Sequence, residues 1–108
     1  MDTFEKYYMY NRDMNGHITS VNIDAQNTTE ESFELFKSLY DKNYGTINQD
    51  GNLIDIHTGG WSDNEELIYD FKKTWWWNNN HKITINGGHY YFNTDFYSDK
   101  DWKIVKSE

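Results

Sequence analysis

Two Ser/Thr-x-x-Glu sequences, Thr28 to Glu31 and Ser62 to Glu65, each stand directly before an apolar stripe of helical period, and they divide the chain into blocks of strand and helix. In such a capping box the hydroxyl and the carboxylate satisfy N–H groups that a helix start leaves open. After the first box, Phe33, Phe36, Leu39 and Tyr40 fall on one helical face. Asn43 and Gly45 stop the pattern, which predicts a helix over residues 30–42. After the second, Leu67, Ile68, Phe71 and Trp75 form the corresponding stripe, and Asn78-Asn79-Asn80 ends it.

The segments between read as strands, being rich in β-branched and aromatic residues and bounded by turn signals. Residues 4–11 and 18–24, separated by Asn15-Gly16, suggest an opening hairpin. Asp50-Gly51 is a hairpin-type turn between 46–49 and 52–58. In the second of these strands Ile54 and Ile56 point one way, while Leu53, Asp55 and His57 point the other. Residues 82–92 read as a hairpin around Gly87-Gly88. A two-residue Gly-Gly loop sets Ile85 opposite Tyr90 and Ile83 opposite Phe92, one apolar face, whereas an Asn86-Gly87 loop leaves Ile85 facing Gly88. The first register buries more and is preferred. A last strand is expected over 102–105. The order is ββ-α-ββ-α-βββ, an α+β fold with a mainly antiparallel sheet and two helices packed on it. With no repeat and no linker, residues 1–108 form one domain.

Only 36% of the residues are hydrophobic but 19% are aromatic, so the core must be built largely from rings. The absence of cysteine excludes disulfides and thiolate metal sites. Eighteen acidic residues against ten basic ones give a net charge of −8, which opposes binding to a phosphate backbone. A basic protein surface is the better electrostatic match. No apolar run is long enough to span a membrane, and the start at Met1-Asp2-Thr3-Phe4-Glu5 lacks the basic and apolar regions of a secretory signal; a cytoplasmic protein is expected. Abundant asparagine, a single arginine (Arg12) and no proline match the bias of AT-rich coding, common in phages and low-GC bacteria.

The most distinctive stretch runs from Ile56 to Glu66 through His57-Thr58-Gly59-Gly60-Trp61-Ser62, with Gly87-Gly88-His89-Tyr90-Tyr91-Phe92 downstream. A strand that ends in two glycines and enters a helix can present N–H groups to an anion. On this reading His57, Gly59, Gly60, Trp61 and His89 form a pocket for a nucleotide or another anion. Asp63, Glu65 and Glu66 at the same helix start oppose it, and no Gly-Lys-Ser/Thr follows, so this is no P-loop. A tight turn with a buried tryptophan explains the same residues. Asp55 and His57 share a strand face that His89 could join, a weak pattern for a metal; Ser62 is accounted for as a helix cap and not as a nucleophile. Neither a cofactor, a metal nor a catalytic residue is assigned.

The same stretch resembles a family of small uncharacterised phage and prophage proteins with the pattern His-Thr-Gly-Gly-Trp-Ser-x-Asn-Glu, a helix ending in Trp-rich sequence, then Gly-Gly-His-Tyr-x-Phe. The match covers His57 to Glu65, Trp75 to Trp77 and Gly87 to Phe92, within the second half of the chain. The resemblance implies a phage origin and interference with a host process, such as an anti-CRISPR or other counter-defence role; it brings no activity with it.

Acidic rows give that implication a physical form. Glu30, Glu31 and Glu34 lie on the first helix and Asp63, Glu66 and Asp70 on the second; pairs four apart stand roughly 6 Å from each other on one helix face. Such rows suit a basic groove built for nucleic acid, although Lys37, Lys72 and Lys73 interrupt them and solvated helix faces look the same. Trp75-Trp76-Trp77 cannot all point inward from one helix, so either Trp76 or Trp77 lies at the edge as a binding anchor, or the helix ends here and all three cover the flank of the sheet. The leading expectation is a non-enzymatic, phage-type inhibitor that binds a basic host defence protein, acting in the host cytoplasm as a nucleic-acid mimic. The small-ligand pocket is the alternative.

Overall fold

The computed structural model describes residues 3–23 and 29–95. A single 3-10 turn, Glu5–Tyr7, leads into a two-stranded antiparallel hairpin of β1 (Tyr10–Arg12) and β2 (Ile18–Val21). Helix α1 (Thr29–Leu39) follows, then β3 (Thr46–Asp50), β4 (Leu53–His57), α2 (Ser62–Phe71), α3 (Trp75–Asn80), β5 (His81–Ile85) and β6 (His89–Asn93). The last four strands form one antiparallel sheet in the order β3-β4-β6-β5. The fold is α+β, with three α-helices and two antiparallel sheets among the described residues where the sequence suggests two helices and one sheet. The strand expected over 102–105 and Thr28 of the first capping box lie outside the described residues.

The core is aromatic, as the composition required. Of the buried hydrophobic residues among those described, only Ile54, Ile56 and Ile68 are aliphatic; the others are Phe, Tyr or Trp. Ring geometry therefore sets the packing. Phe33 stacks on Trp76 at 4.3 Å between centroids and Phe36 on Phe71 at 4.4 Å, which joins α1 to both of the other helices. Ile54 pairs with Phe92 and Ile56 with Tyr90 across β4 and β6, so these four residues face the helices. As the alternation in β4 predicts, Leu53, Asp55 and His57 lie on the outer face.

Several local expectations give way to tertiary contacts. Residues 4–11 do not form one strand: Phe4, Tyr7 and Tyr8 turn inward to fill the core, and the hairpin strand is confined to Tyr10–Arg12. Helix α1 stops at Leu39, because the Asn64 side chain accepts from the Asp41 N–H at 3.0 Å and donates to the Asp41 carbonyl at 3.1 Å, holding the chain out of the helix. The β3–β4 turn centres on Gly51-Asn52, since Asp50 pairs with Leu53. The β5–β6 register also shifts by one: Ile85 pairs with His89 and Ile83 with Tyr91, around a three-residue Asn86-Gly87-Gly88 loop. Here β4, and not β5, supplies the apolar neighbours of Tyr90 and Phe92, and the Thr58 N–H fastens the loop by donating to the Gly88 carbonyl at 2.9 Å.

The tryptophan run is the largest correction. Helix α2 ends at Phe71, and a new helix starts where Thr74 accepts from the Trp77 N–H and donates its hydroxyl proton to the Phe71 carbonyl. That break rotates the run inward. Trp76 is 0% exposed and Trp77 7%, while Trp75 is half-buried, so neither Trp76 nor Trp77 is an exposed anchor.

Candidate functional site

Three connections meet at one end of the four-stranded sheet: residues 40–45 between α1 and β3, residues 58–61 between β4 and α2, and the β5–β6 loop. The distinctive sequence stretch lies here, and its buried half is a hydrogen-bonded lock. The Thr58 hydroxyl donates to Glu65 Oε1 at 2.7 Å and accepts from the Gly60 N–H at 3.2 Å. The Tyr90 hydroxyl donates to Glu65 Oε2 at 2.9 Å, and Tyr40 donates to the His57 carbonyl at 2.6 Å. Burial first, and then the nearby Glu65 carboxylate, pushes the Tyr40 and Tyr90 phenols up to about 12. Glu65 therefore serves two hydroxyls, and the expected Ser62–Glu65 capping box does not form. Trp61 takes the N-cap position, with no side-chain cap.

Two glycines are required here by close approach. A Cβ on Gly88 would stand 2.1 Å from the Thr58 hydroxyl oxygen, and one on Gly45 would stand 2.4 Å from the Tyr40 hydroxyl oxygen. At the strand-to-helix turn, Gly59 and Gly60 both adopt positive φ, yet the N–H of Gly60 bonds the Thr58 hydroxyl and that of Trp61 the Thr58 carbonyl. Two of the donors that an anion would use are thus already committed within the turn.

On the outer face, the histidines of the ligand reading do come together. His57 pairs directly with His89 across β4 and β6, and their rings meet edge to face at 4.4 Å between centroids. Tyr91 stands opposite Asp55, and its ring is 6.0 Å from that of His57. His57 Nε2 lies 3.9 Å from Asp55 Oδ1, beyond hydrogen-bond reach. His57 Nε2 and His89 Nδ1 are buried atoms without a hydrogen-bond partner among the described residues. No group of three His, Asp or Glu side chains among the described residues is arranged to hold a metal ion.

Trp61 leaves this inner network and stacks on Tyr44 at 4.2 Å and 17°. Trp61 is 36% exposed and Tyr44 53%, so the pair forms an aromatic shelf directly before α2, whose first turns carry the exposed Asp63 and Glu66. Tyr44 carried no sequence pattern beyond being a ring among Asn, Lys and Gly turn residues. The remaining acids lie elsewhere. Asn64 at the start of α2 touches Asp41 just after α1, while Phe33 at the start of α1 lies against Phe71 at the end of α2. The two helices therefore run antiparallel, and Glu30, Glu31 and Glu34 are at the opposite end from Asp63 and Glu66. Glu34 pairs with Lys37 at 2.8 Å, Asp70 approaches Lys73 at 4.0 Å, and Glu31 accepts from the Tyr7 hydroxyl at 3.4 Å. No helix among the described residues is long and apolar enough to cross a membrane. Comparison with protein-family models, with curated proteins and with solved structures returns no match.

Proposed function

We propose that this chain is a non-enzymatic binding protein that docks onto a basic surface of another protein through the Tyr44–Trp61 shelf and the carboxylates of Asp63 and Glu66. The observation that carries the reading is the stacked aromatic pair held at the surface where the chain enters the helix that bears those acids. A flat ring pair with low conformational freedom is a suitable desolvated anchor, and flanking carboxylates steer a cationic partner. Together with the resemblance to phage proteins, this supports an inhibitor of a host nucleic-acid-handling factor, in which the acids occupy the groove that phosphates would fill. Trp61 takes the anchoring role expected of Trp76 or Trp77. The test is competition: the protein should displace nucleic acid from its captured partner, with an affinity that falls steeply with salt. Trp61→Ala and a paired Asp63→Lys, Glu66→Lys variant should each abolish displacement, whereas Glu30→Lys, at the far end, should not. Displacement that survives both shelf variants refutes the reading.

A second reading rests on the two unpartnered histidine nitrogens. They favour a small polar ligand on the outer face of β4 and β6, bound by His57 and His89. A nucleotide or anion that raises the melting temperature of the wild type and not of His89→Ala would support it.

A further inference from the structure

We propose that a cavity between the β1–β2 hairpin and the end of α2 binds a small organic anion, a phosphate monoester on a flat, hydrogen-bond-donating body such as a nucleoside. The cavity encloses about 430 Å³ and is lined by Glu5, Tyr8, Tyr10, Asn11, Arg12 and Lys73. That volume lies within the roughly 300–1,000 Å³ of small-ligand clefts. It is distant in sequence from the Tyr44–Trp61 shelf and shares no residue with it.

The fold builds this place deliberately. An antiparallel bridge between Tyr8 and Thr74 seats the N-terminal segment against the residue that follows Lys73. Two residues on, the strand alternation brings Tyr10 and Arg12 to one face of β1. Arg12 is the single arginine of a chain with eighteen acidic residues, yet no carboxylate among the described residues lies within ion-pair distance of it. Its guanidinium carbon sits 4.4 Å from the centre of the Tyr10 ring, and Nη1 donates to the Gly16 carbonyl. Lys73 Nζ is 4.8 Å from the Tyr69 ring and 5.8 Å from that of Tyr8, with Asp70 only at 4.0 Å. Ring faces position both cations, Lys73 being paired also with Asp70 at the limit of ion-pair distance, and among the described residues the guanidinium meets only the Gly16 carbonyl, which leaves N–H groups for a forked oxygen acceptor. Glu5, the one carboxylate in the lining, repels a bare anion but accepts from an amine or hydroxyl on the ligand body. The combination selects an anion that carries donors.

The test uses the whole chain and three probes: adenosine 5′-monophosphate, adenosine and inorganic phosphate, by calorimetric titration. The monophosphate is expected to bind more tightly than either fragment, and Arg12→Ala and Lys73→Ala are each expected to weaken it by about tenfold, the loss of one charge-assisted contact. Lys82→Ala, an equal charge change at an exposed site on β5, should leave it unchanged. Absence of binding at millimolar monophosphate overturns the proposal. So does equal binding of phosphate or adenosine alone, or full affinity in both the Arg12 and Lys73 variants.

Discussion

The Thr58 hydroxyl donates a 2.7 Å hydrogen bond to the Glu65 carboxylate, tying the connection that leaves β4 to the first turn of α2. The Tyr90 hydroxyl donates to the other oxygen of the same carboxylate at 2.9 Å, so one side chain joins β6 to both. Glu65→Ala strands two partly buried hydroxyls and is expected to cost about 3 kcal/mol in urea unfolding; Glu65→Gln, which keeps an acceptor, costs about 1 kcal/mol.

Gly88 is the tightest backbone position in this lock. Its φ is +82° and an added Cβ would meet the Thr58 oxygen at 2.1 Å, so Gly88→Ala carries both conformational strain and a clash with a buried side chain. A loss above about 3 kcal/mol is expected. Gly51→Ala is the control: φ is +60° with nothing within 4 Å of the added carbon, and only the conformational cost of about 1 kcal/mol should appear.

Alkaline titration reads the same network. Tyr40 and Tyr90 should ionise only at about 12, a step that absorbance in the phenolate band follows and that Tyr40→Phe and Tyr90→Phe should each diminish. In both, burial is the main cause. Because the folded values lie above the unfolded value of 10.0, the unfolded chain releases these protons first, and stability is lost as pH rises from about 10 to about 12. Glu65→Gln should move the late step to lower pH without restoring an ordinary value.

His81 acts at the other end of the pH range. Its ring stacks on Trp77 at 4.9 Å, and Nε2 lies 2.7 Å from the Thr84 hydroxyl oxygen. Burial lowers its pKa below 6.5, outweighing the opposite pull of the Ile83 backbone, and Lys72 adds to the lowering. As pH falls through about 6.5 the unfolded chain takes up this proton first, so stability drops until the folded value is passed. His81→Phe, which keeps a ring on Trp77, should flatten the dependence of unfolding free energy on pH in that window.

Asn64 is 1% exposed and grips both the N–H and the carbonyl of Asp41. Asn64→Ala leaves two backbone groups without partners and should cost about 2 kcal/mol. Asn64→Asp should cost more, because a carboxylate would face the Asp41 carbonyl with no donor between them.

What can be read along the chain was decided by short-range chemistry. The apolar spacing from Phe33 to Tyr40 and from Leu67 to Phe71 marked two helices, and the alternation Ile54, Asp55, Ile56, His57 divided β4 into an inner and an outer face. Both patterns are periodicities of a single element, so no distant residue is needed to see them. The scarcity of aliphatics likewise foretold a core of rings. Several of the failures involve a group with two possible partners. Glu65 could cap its own helix or receive hydroxyls from Thr58 and Tyr90; Thr74 could continue α2 or cap α3; the β5–β6 loop could follow its own glycines or the pairing of β6 with β4. For Glu65 and for the β5–β6 loop the partner that prevailed comes from another element. Sequence spacing carries no information about such competition, because the energy that decides it exists only once the sheet order β3-β4-β6-β5 has brought those elements together. The meeting of His57 with His89, the stacking of Trp61 on Tyr44, and the antiparallel helices that separate the two acidic starts all follow from that same assembly.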